Sequence, residues 1–311
     1  MYDLIVIGGG PAGLTATIYA VRKRLNVLLV TKDLGGKTNY RLQLPNLEHH
    51  LVINGEEMIN RFANEIEYLE FAREFDSVDA VAPAPGGYRV RTRKGAEHTA
   101  RAVLIATGAR GQRLEVPGEK EFAMRGLCYS TVSYAALFVG RNVVVIGSNG
   151  LALRAGADLA RLARHVTLVA PDRGELDSAL GRKLRGFSNV VILEDHAVEQ
   201  VKGDDYARSL VLRRPNDTLA ELHADAFFVE LGLQPNSSLV KGLLTLDAQG
   251  GIIVDNANHT SAPGLFAAGD VTNVHAEQVL IAIGEGAKAA LSAYDYLLEH
   301  ELGPGEPPTS A

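Results

Sequence analysis

Three glycines near the N-terminus carry the most specific chemistry in the sequence. Gly8-x-Gly10-x-x-Gly13 follows the apolar run Leu4 to Ile7 and opens a stretch of helical spacing, Leu14 to Arg24. In such a turn the first glycine permits the tight bend. The second lacks a Cβ, so the backbone can approach a pyrophosphate, and the third lets helix and strand pack closely. The free N–H groups and the dipole of the helix then attract phosphate. Pro11 and Ala12 lie inside the motif. The plain alternative is a glycine-rich turn that binds nothing, but the strand before and the helix after meet the context that a dinucleotide site requires. One departure concerns the adenosine end. Where an acid usually meets the ribose hydroxyls, this chain has Thr31 followed by Lys32.

A second turn of similar type, Gly147-Ser148-Asn149-Gly150-Leu151-Ala152, follows the run Asn142 to Ile146. Its spacing matches the first, and the repetition points to a duplicated fold unit rather than a short solenoid repeat. Asn149 takes the place of the second glycine, where a side chain obstructs close approach to a pyrophosphate.

Other chemistry is sparse. Cys128 is the only cysteine, which rules out an intramolecular disulfide and an all-thiolate metal site. Only His49 and His50 are adjacent among the nine histidines, and no metal is expected. The net charge of -6 argues against nucleic acid or an anionic membrane as partner. No apolar run approaches the ~20 residues of a membrane span. The N-terminus lacks a basic n-region and a small-residue cleavage site, so a cytoplasmic location is the default expectation.

The elements that must position these residues alternate. Leu4–Ile7, a helix from Leu14 and the strand Val27–Val30 form one βαβ unit, which should be right-handed. Residues 32–55 are irregular. Residues 56–72 read as an amphipathic helix with Met58, Ile59, Phe62, Ile66 and Leu69 on one face. Residues 76–100 read as a β meander around Gly86-Gly87, and Ala102–Ala106 as a strand running into Thr107-Gly108. In the second half, 153–164 reads as a helix and Val166–Val169 as a strand. Gly264 to Asp270 reads as a strand ending at an acid. Glu277–Glu299 reads as a long amphipathic helix with Val279, Leu280, Ile283, Ala287 and Leu291 on its apolar face. The Pro/Gly-rich tail 303–311 is expected to fray.

With these pieces in place the chain resembles the low-molecular-weight thioredoxin reductases, within the pyridine-nucleotide–disulfide oxidoreductases. The resemblance rests on the first glycine motif, Gly35-Gly36-Lys37, Asn46, Ala106-Thr107-Gly108, Gly232 with Pro235-Asn236, and Gly269-Asp270-Val271 followed by Gln278. The run Gly284-Glu285-Gly286-Ala287-Lys288-Ala289-Ala290 belongs to it too. It implies an α/β protein with two Rossmann-like, three-layer dinucleotide-binding domains, the second inserted in the first. Residues 1–112 and 245–311 would form an FAD domain, and 113–244 a central NAD(P)H-binding-like domain. It further implies that Asp270 meets the ribitol hydroxyls and that Asn46 approaches the flavin. Thr107, between Ala106 and Gly108, would line the FAD site. Gln278, beside Val279, would sit at the start of the last helix, where the dipole stabilises negative charge on reduced flavin. Thr31, Lys32, Gly35, Gly36 and Lys37 complete the expected FAD contacts. A homodimer is implied as well.

Two departures bear on the reaction. The family passes electrons from flavin through a Cys-x-x-Cys pair of the central domain to a protein partner. Alignment on Arg125-Gly126 places that pair at Ser130 and Ser133, and serine is inert to redox. Either the chain is a divergent flavoprotein, or the cysteines were replaced to silence a disulfide oxidoreductase. Cys128 is a packing residue rather than a catalyst. The family also holds the 2′-phosphate of NADPH with a His-Arg-Arg cluster. Here the same place reads Ala170-Pro171-Asp172-Arg173-Gly174-Glu175-Leu176, apolar or acidic, so poor NADPH use is expected and Arg173 reads as a solvated charge.

The leading expectation is thus an FAD-dependent, thioredoxin reductase-like oxidoreductase that does not use NADPH. Its partner would be a thioredoxin-like or ferredoxin protein. A ferredoxin- or quinone-linked flavin reductase without disulfide chemistry, or a non-catalytic flavin-binding protein, stand as alternatives. One FAD per chain is expected. A second FAD in the central domain is open, because Lys37 and Arg41 could meet its phosphates, FAD's own phosphates or solvent.

Overall fold

A computed structural model describes residues 1–40, 42–43, 56–67 and 69–300. The expectations for Asn46, Arg41 and the tail 303–311 fall outside the described residues. The chain divides into two compact units. One comprises the described residues within Met1–Asn39, Asn54–Arg110 and Gln234–Ala311, and the other those within Tyr40–Ile53 and Gly111–Leu233.

The first unit is built on a seven-stranded sheet. Strand β1 (Tyr2–Ile7) leads into helix α1 (Pro11–Arg22), and β2 (Val27–Thr31) returns parallel to β1. Helix α2 (Glu56–Glu67) and the short edge strand β3 (Arg73–Phe75) follow. Strands β4 (Val78–Ala84) and β5 (Gly87–Thr92) form an antiparallel hairpin turning at Gly86. The end of the expected meander and the strand after it merge into one strand, β6 (Glu97–Ile105). Its first half pairs with β5 and its second half runs parallel to β1.

Alternation along β1 explains the layering. Leu4 and Val6 pack with Leu14 and Ile18 of α1, while Ile5 and Ile7 pack with Val90 and Val103 on the other face. Side chains on a strand alternate faces, so a strand that is apolar throughout must be covered on both sides.

The second unit repeats this logic. Its parallel strands are β7 (Leu127–Cys128), β8 (Asn142–Ile146), β9 (His165–Ala170), β10 (Val190–Glu194) and β14 (Ala226–Val229), in the order β10-β9-β8-β14-β7. Helix α3 (Gly150–Ala160) joins β8 to β9, and α4 (Ala179–Leu184) follows. An antiparallel meander, β11 (Ala197–Gly203), β12 (Ala207–Arg213) and β13 (Leu219–His223), precedes β14. Val143 and Val145 of β8 pack with Leu153 and Leu159 of α3; Val144 and Ile146 pack with Leu210 and Leu212 of the meander.

The chain then returns to the first unit, where β15 (Leu265–Ala267) pairs with β6 and α5 (Val279–His300) closes the described residues. Residues 234–244, expected in the inserted domain, group with the first unit, because Val240 and Leu244 are buried in its core.

Two expected apolar faces are corrected. In α2, Ile59 and Ile66 are buried but Met58 is exposed, and the helix stops at Glu67. In α5 the buried face is Ala282, Gly286, Ala289, Ala290, Ala293 and Leu297, while Leu280 and Leu291 are exposed. Close approach to α1 dictates this choice: a Cβ on Gly286 would stand 2.1 Å from the Ala12 carbonyl oxygen. Leucine is too bulky at the Gly286 crossing of that seam. Among the described residues no helix is long and apolar enough to cross a membrane.

Candidate functional site

The first glycine turn is assembled around backbone contacts that only glycine permits. Gly8 has φ +109°, and a Cβ there would stand 2.3 Å from the Ala106 carbonyl oxygen. A Cβ on Gly13 would stand 1.8 Å from the Gly8 carbonyl oxygen, so α1 starts flush against β1. Gly10 differs: a Cβ there would meet no described atom within 4 Å. Its backbone faces open space.

Gly10 is also the N-cap of α1. Among the described residues no side chain caps this end; no acid lies in the first turn, and Pro11 occupies the first position. The first N–H groups of a helix lack partners within the helix. Among the described residues no carboxylate in the first turn and no capping side chain offsets the positive dipole end there.

Three loops border this turn. In the first, Gly35 N–H donates to the Gly9 carbonyl (2.7 Å) and Gly36 N–H to Asp33 Oδ1 (2.9 Å). Asn39 Nδ2 donates to the Leu34 carbonyl (2.9 Å), and Thr38 Oγ1 to the Gly35 carbonyl (2.8 Å). A Cβ on Gly36 would lie 3.0 Å from Gly10 Cα. Thr31 is buried and its hydroxyl is spent on the Asp33 carbonyl (2.7 Å); Lys32 is exposed. Lys37 Nζ lies 2.5 Å from Asp270 Oδ2.

The second loop is Ala106-Thr107-Gly108, at the end of β6. Thr107 Oγ1 donates to the Asn236 carbonyl (2.8 Å) and Asn236 Nδ2 returns a bond to the Thr107 carbonyl (2.9 Å). The Thr107 hydroxyl is therefore engaged by the protein. A Cβ on Gly108 would again meet no described atom within 4 Å.

The third loop, Gly269-Asp270, lies at the end of β15. A Cβ on Gly269 would lie 3.1 Å from Ala12 Cβ. Gly269 N–H donates to Glu285 Oε2 (3.3 Å), and Asn258 Nδ2 contacts the same oxygen (3.4 Å). Gln278 directly precedes α5, its carbonyl accepting from Ala282 N–H (2.9 Å), and Val279 is the first helical residue.

The sequence-derived residues Gly8, Gly10, Pro11, Ala12, Gly13, Gly35, Gly36, Lys37, Gly269 and Asp270 thus converge around the start of α1. Asp33, Asn236, Glu285 and Asn258 were missed as parts of the site. The spacing of Asp33 to Gly36 is a readable local cap; the others join segments far apart in the chain. The open space over Gly10 and Gly108, the uncapped helix end and the fixed ammonium of Lys37 fit the pyrophosphate of a dinucleotide.

The second turn is built differently. Gly147 has φ +142°, and a Cβ there would stand 2.5 Å from the Glu230 carbonyl oxygen. Asn149 caps α3: its Oδ1 accepts from Leu151 N–H (2.9 Å) and Ala152 N–H (3.0 Å). Glu175 Oε1 accepts from Gly150 N–H (2.9 Å). Ser148 Oγ donates to Asp172 Oδ1. The N–H groups that would hold phosphate are answered by the unit's own side chains, and two carboxylates stand beside them. Arg173 pairs with Asp177 at 2.5 Å and its side chain is 78% exposed, as a solvated charge should be.

Ser130 and Ser133 are adjacent in space. Ser130 Oγ donates to Ser133 Oγ (2.9 Å), and Thr131 N–H donates to the buried Glu230 at Oε1 (2.7 Å). Cys128 is fully buried in β7. Burial pushes its thiol well above the ordinary range, and the nearby Glu230 carboxylate adds to this. Such a thiol holds its proton and is a poor nucleophile. Tyr129, whose phenol is likewise pushed up by burial and then by its bond to Glu119 (2.7 Å), is structural. Among the described residues no group of three or more His, Cys, Asp or Glu is arranged to hold a metal.

Known proteins share this architecture. A family model described as pyridine nucleotide-disulphide oxidoreductase matches residues 2–286. One subunit of the alkyl hydroperoxide reductase of Pseudomonas aeruginosa is 35% identical over 304 residues, covering 96% of this chain and 58% of that protein. A protein named NADH dehydrogenase from Ferdinandcohnia aciditolerans is 31% identical over 309 residues, with the same 96% and 58% coverage. The crystal structure of thioredoxin reductase from Streptococcus pyogenes superposes with a TM-score of 0.84 at 29% identity, covering 96% of this chain and 99% of that one. The chain therefore spans 58% of the length of these curated relatives and nearly all of the solved one.

Proposed function

This chain belongs to the pyridine nucleotide-disulphide oxidoreductase family, and we propose that it is an FAD-dependent oxidoreductase whose electrons do not enter as NADPH at the second glycine turn. The observation that carries this reading is the contrast between an open, uncapped first turn and a second turn filled by Asn149 and Glu175. FAD supplies redox chemistry when bound, accepting and releasing one or two electrons. The chain's own residues do the rest. Gly10 and the start of α1 would hold the pyrophosphate, Asp270 would offer a carboxylate to the ribitol hydroxyls, and the N-terminus of α5 at Gln278 would supply a positive dipole end to stabilise charge on reduced flavin. In the second unit Glu175 and Asp172 set carboxylates where a nucleotide phosphate would have to sit, and like charges repel.

Ser130 and Ser133 stand at the family's redox-cysteine positions in this reading, so the chain does not exchange disulfides as it stands. A homodimer in the cytoplasm, with one FAD per protomer and a thioredoxin-like or ferredoxin partner, is part of the proposal. Anaerobic mixing with NADPH and with NADH tests it. The flavin absorbance should persist with either and bleach with dithionite; rapid bleaching by a pyridine nucleotide would refute the reading. The cysteine register has its own check. Ser130→Cys with Ser133→Cys should close a disulfide on mild oxidation, leaving Cys128 as the only free thiol. If all three thiols stay free, the register is wrong.

A further inference from the structure

Lys37 and Asp270 are an ion pair assembled by two loops far apart in sequence, with Nζ 2.5 Å from Oδ2. The two partners are unequally exposed: the Asp270 side chain is 13% accessible and that of Lys37 47%. The loop that carries Lys37 is held by hydrogen bonds among its own residues and by one from Gly35 N–H to Gly9 inside the phosphate-type turn. The loop that carries Asp270 is held by Glu285 through Gly269 N–H. These bonds fix the backbone on either side of Lys37, and the contact with Asp270 places its ammonium.

Electrostatics make this pair consequential if the first unit holds FAD, the reading on which this inference rests. The pyrophosphate of FAD carries two negative charges, and it would arrive beside a carboxylate already in place. Two anions in a partly dehydrated groove repel unless a cation lies with them. Among Gly8 to Gly13, Ala106 to Gly108 and Gly269-Asp270 no lysine or arginine occurs. Lys32 is exposed, and among the described residues the cation paired with Asp270 is Lys37.

We propose that Lys37 is the electrostatic bridge of the FAD site: its ammonium holds the Asp270 carboxylate in the flavin-free protein and bridges that carboxylate to the cofactor's pyrophosphate in the loaded one. Lys37 has three N–H donors, enough to serve both anions at once. Asp270 keeps its free lone pairs for the ribitol hydroxyls. Lys37 is thus a binding residue for the diphosphate and a positioning residue for Asp270.

The test is FAD titration of flavin-free protein by fluorescence quenching at several NaCl concentrations, with circular dichroism melting as the folding control. Lys37→Met should weaken FAD binding roughly 10- to 100-fold, the size expected for loss of a charge-assisted bond. It should also flatten the dependence of affinity on salt. Lys37→Arg should stay within a few-fold of wild type. In the wild-type background Asp270→Asn should weaken FAD binding. In the Lys37→Met background the same change should be neutral or favourable, because it removes an unbridged anion. An unchanged affinity and salt slope in Lys37→Met would overturn the inference, as would losses that simply add in the double variant. A wild-type chain that takes up no FAD would instead defeat the functional reading beneath it. Lys37→Gln provides a second neutral variant should Lys37→Met fail to fold.

Discussion

The two glycine turns begin alike and end opposite. Each follows a buried parallel strand and opens a helix, with Gly8 and Gly147 at the bend, both at positive φ and both pressed against a neighbouring carbonyl. The difference lies two residues on. Gly10 leaves the start of α1 bare. Asn149 caps α3 with its own amide oxygen, and Glu175 arrives from beyond β9 to take the Gly150 N–H. A good cap stabilises a helix by about 1 kcal/mol, yet the same N–H groups cannot hold a phosphate. Stability and ligand binding compete for one set of donors, and the two units resolve the competition differently.

The largest expected effect tests a packing that only the first turn has, since Ala152 stands in the second where Gly13 stands in the first. Gly13→Ala puts a Cβ 1.8 Å from the Gly8 carbonyl oxygen, where two backbone segments must separate. Overpacking of that kind should cost about 3 kcal/mol or more. The melting temperature should fall by roughly 6–12 °C, read by circular dichroism. The next effect separates ligand from fold. Gly10→Glu meets no described protein atom within 4 Å of its Cβ, so melting of the flavin-free protein should barely change. FAD affinity should drop roughly 100-fold or more through like-charge contact, as measured by equilibrium titration.

A third change tries to convert one turn into the other. Asn149→Gly with Glu175→Gln removes both occupants of the α3 donors. NADPH binding should strengthen roughly tenfold or more, while stability falls by about 1 kcal/mol. Calorimetric titration and chemical denaturation read the two sides. If nucleotide binding is unmoved, the side chains are not what closes the site. The smallest effect lies outside both turns. His259 Nδ1 bonds Asp255 (2.9 Å) and holds its carboxyl below the usual 3.8. A depressed carboxylate stabilises the fold above its unfolded pKa and loses that stability as pH falls through the folded value. Melting should therefore soften slightly below about pH 4, and less so in Asp255→Asn.

Much of this contrast was legible in the sequence. Strand, glycines and helix share local spacing, so both turns could be placed from residue type alone. The Asn149 replacement was visible too, and its obstruction of the pyrophosphate was expected. Its capping role follows from the preference of Asn for helix starts. Glu175 was less legible. An acid near the second strand of the unit could be read off, but nothing local tells that the carboxylate turns back 25 residues to Gly150 N–H. The Lys37–Asp270 pair was wholly hidden, because only folding brings those loops together. The α5 face was misread for another reason. Helical periodicity picks out large apolar residues, whereas a seam where a Cβ on Gly286 would stand 2.1 Å from backbone selects for glycine there and small residues beside it.

Flavin stoichiometry tests the contrast between the turns most directly. The protein would be loaded with excess FAD, passed through gel filtration, and its flavin and polypeptide counted. One FAD per chain, lost in Gly10→Glu and kept in Asn149→Gly with Glu175→Gln, is the expected result. Two FAD per wild-type chain, or full retention in Gly10→Glu, would contradict the assignment of an open first turn and a closed second.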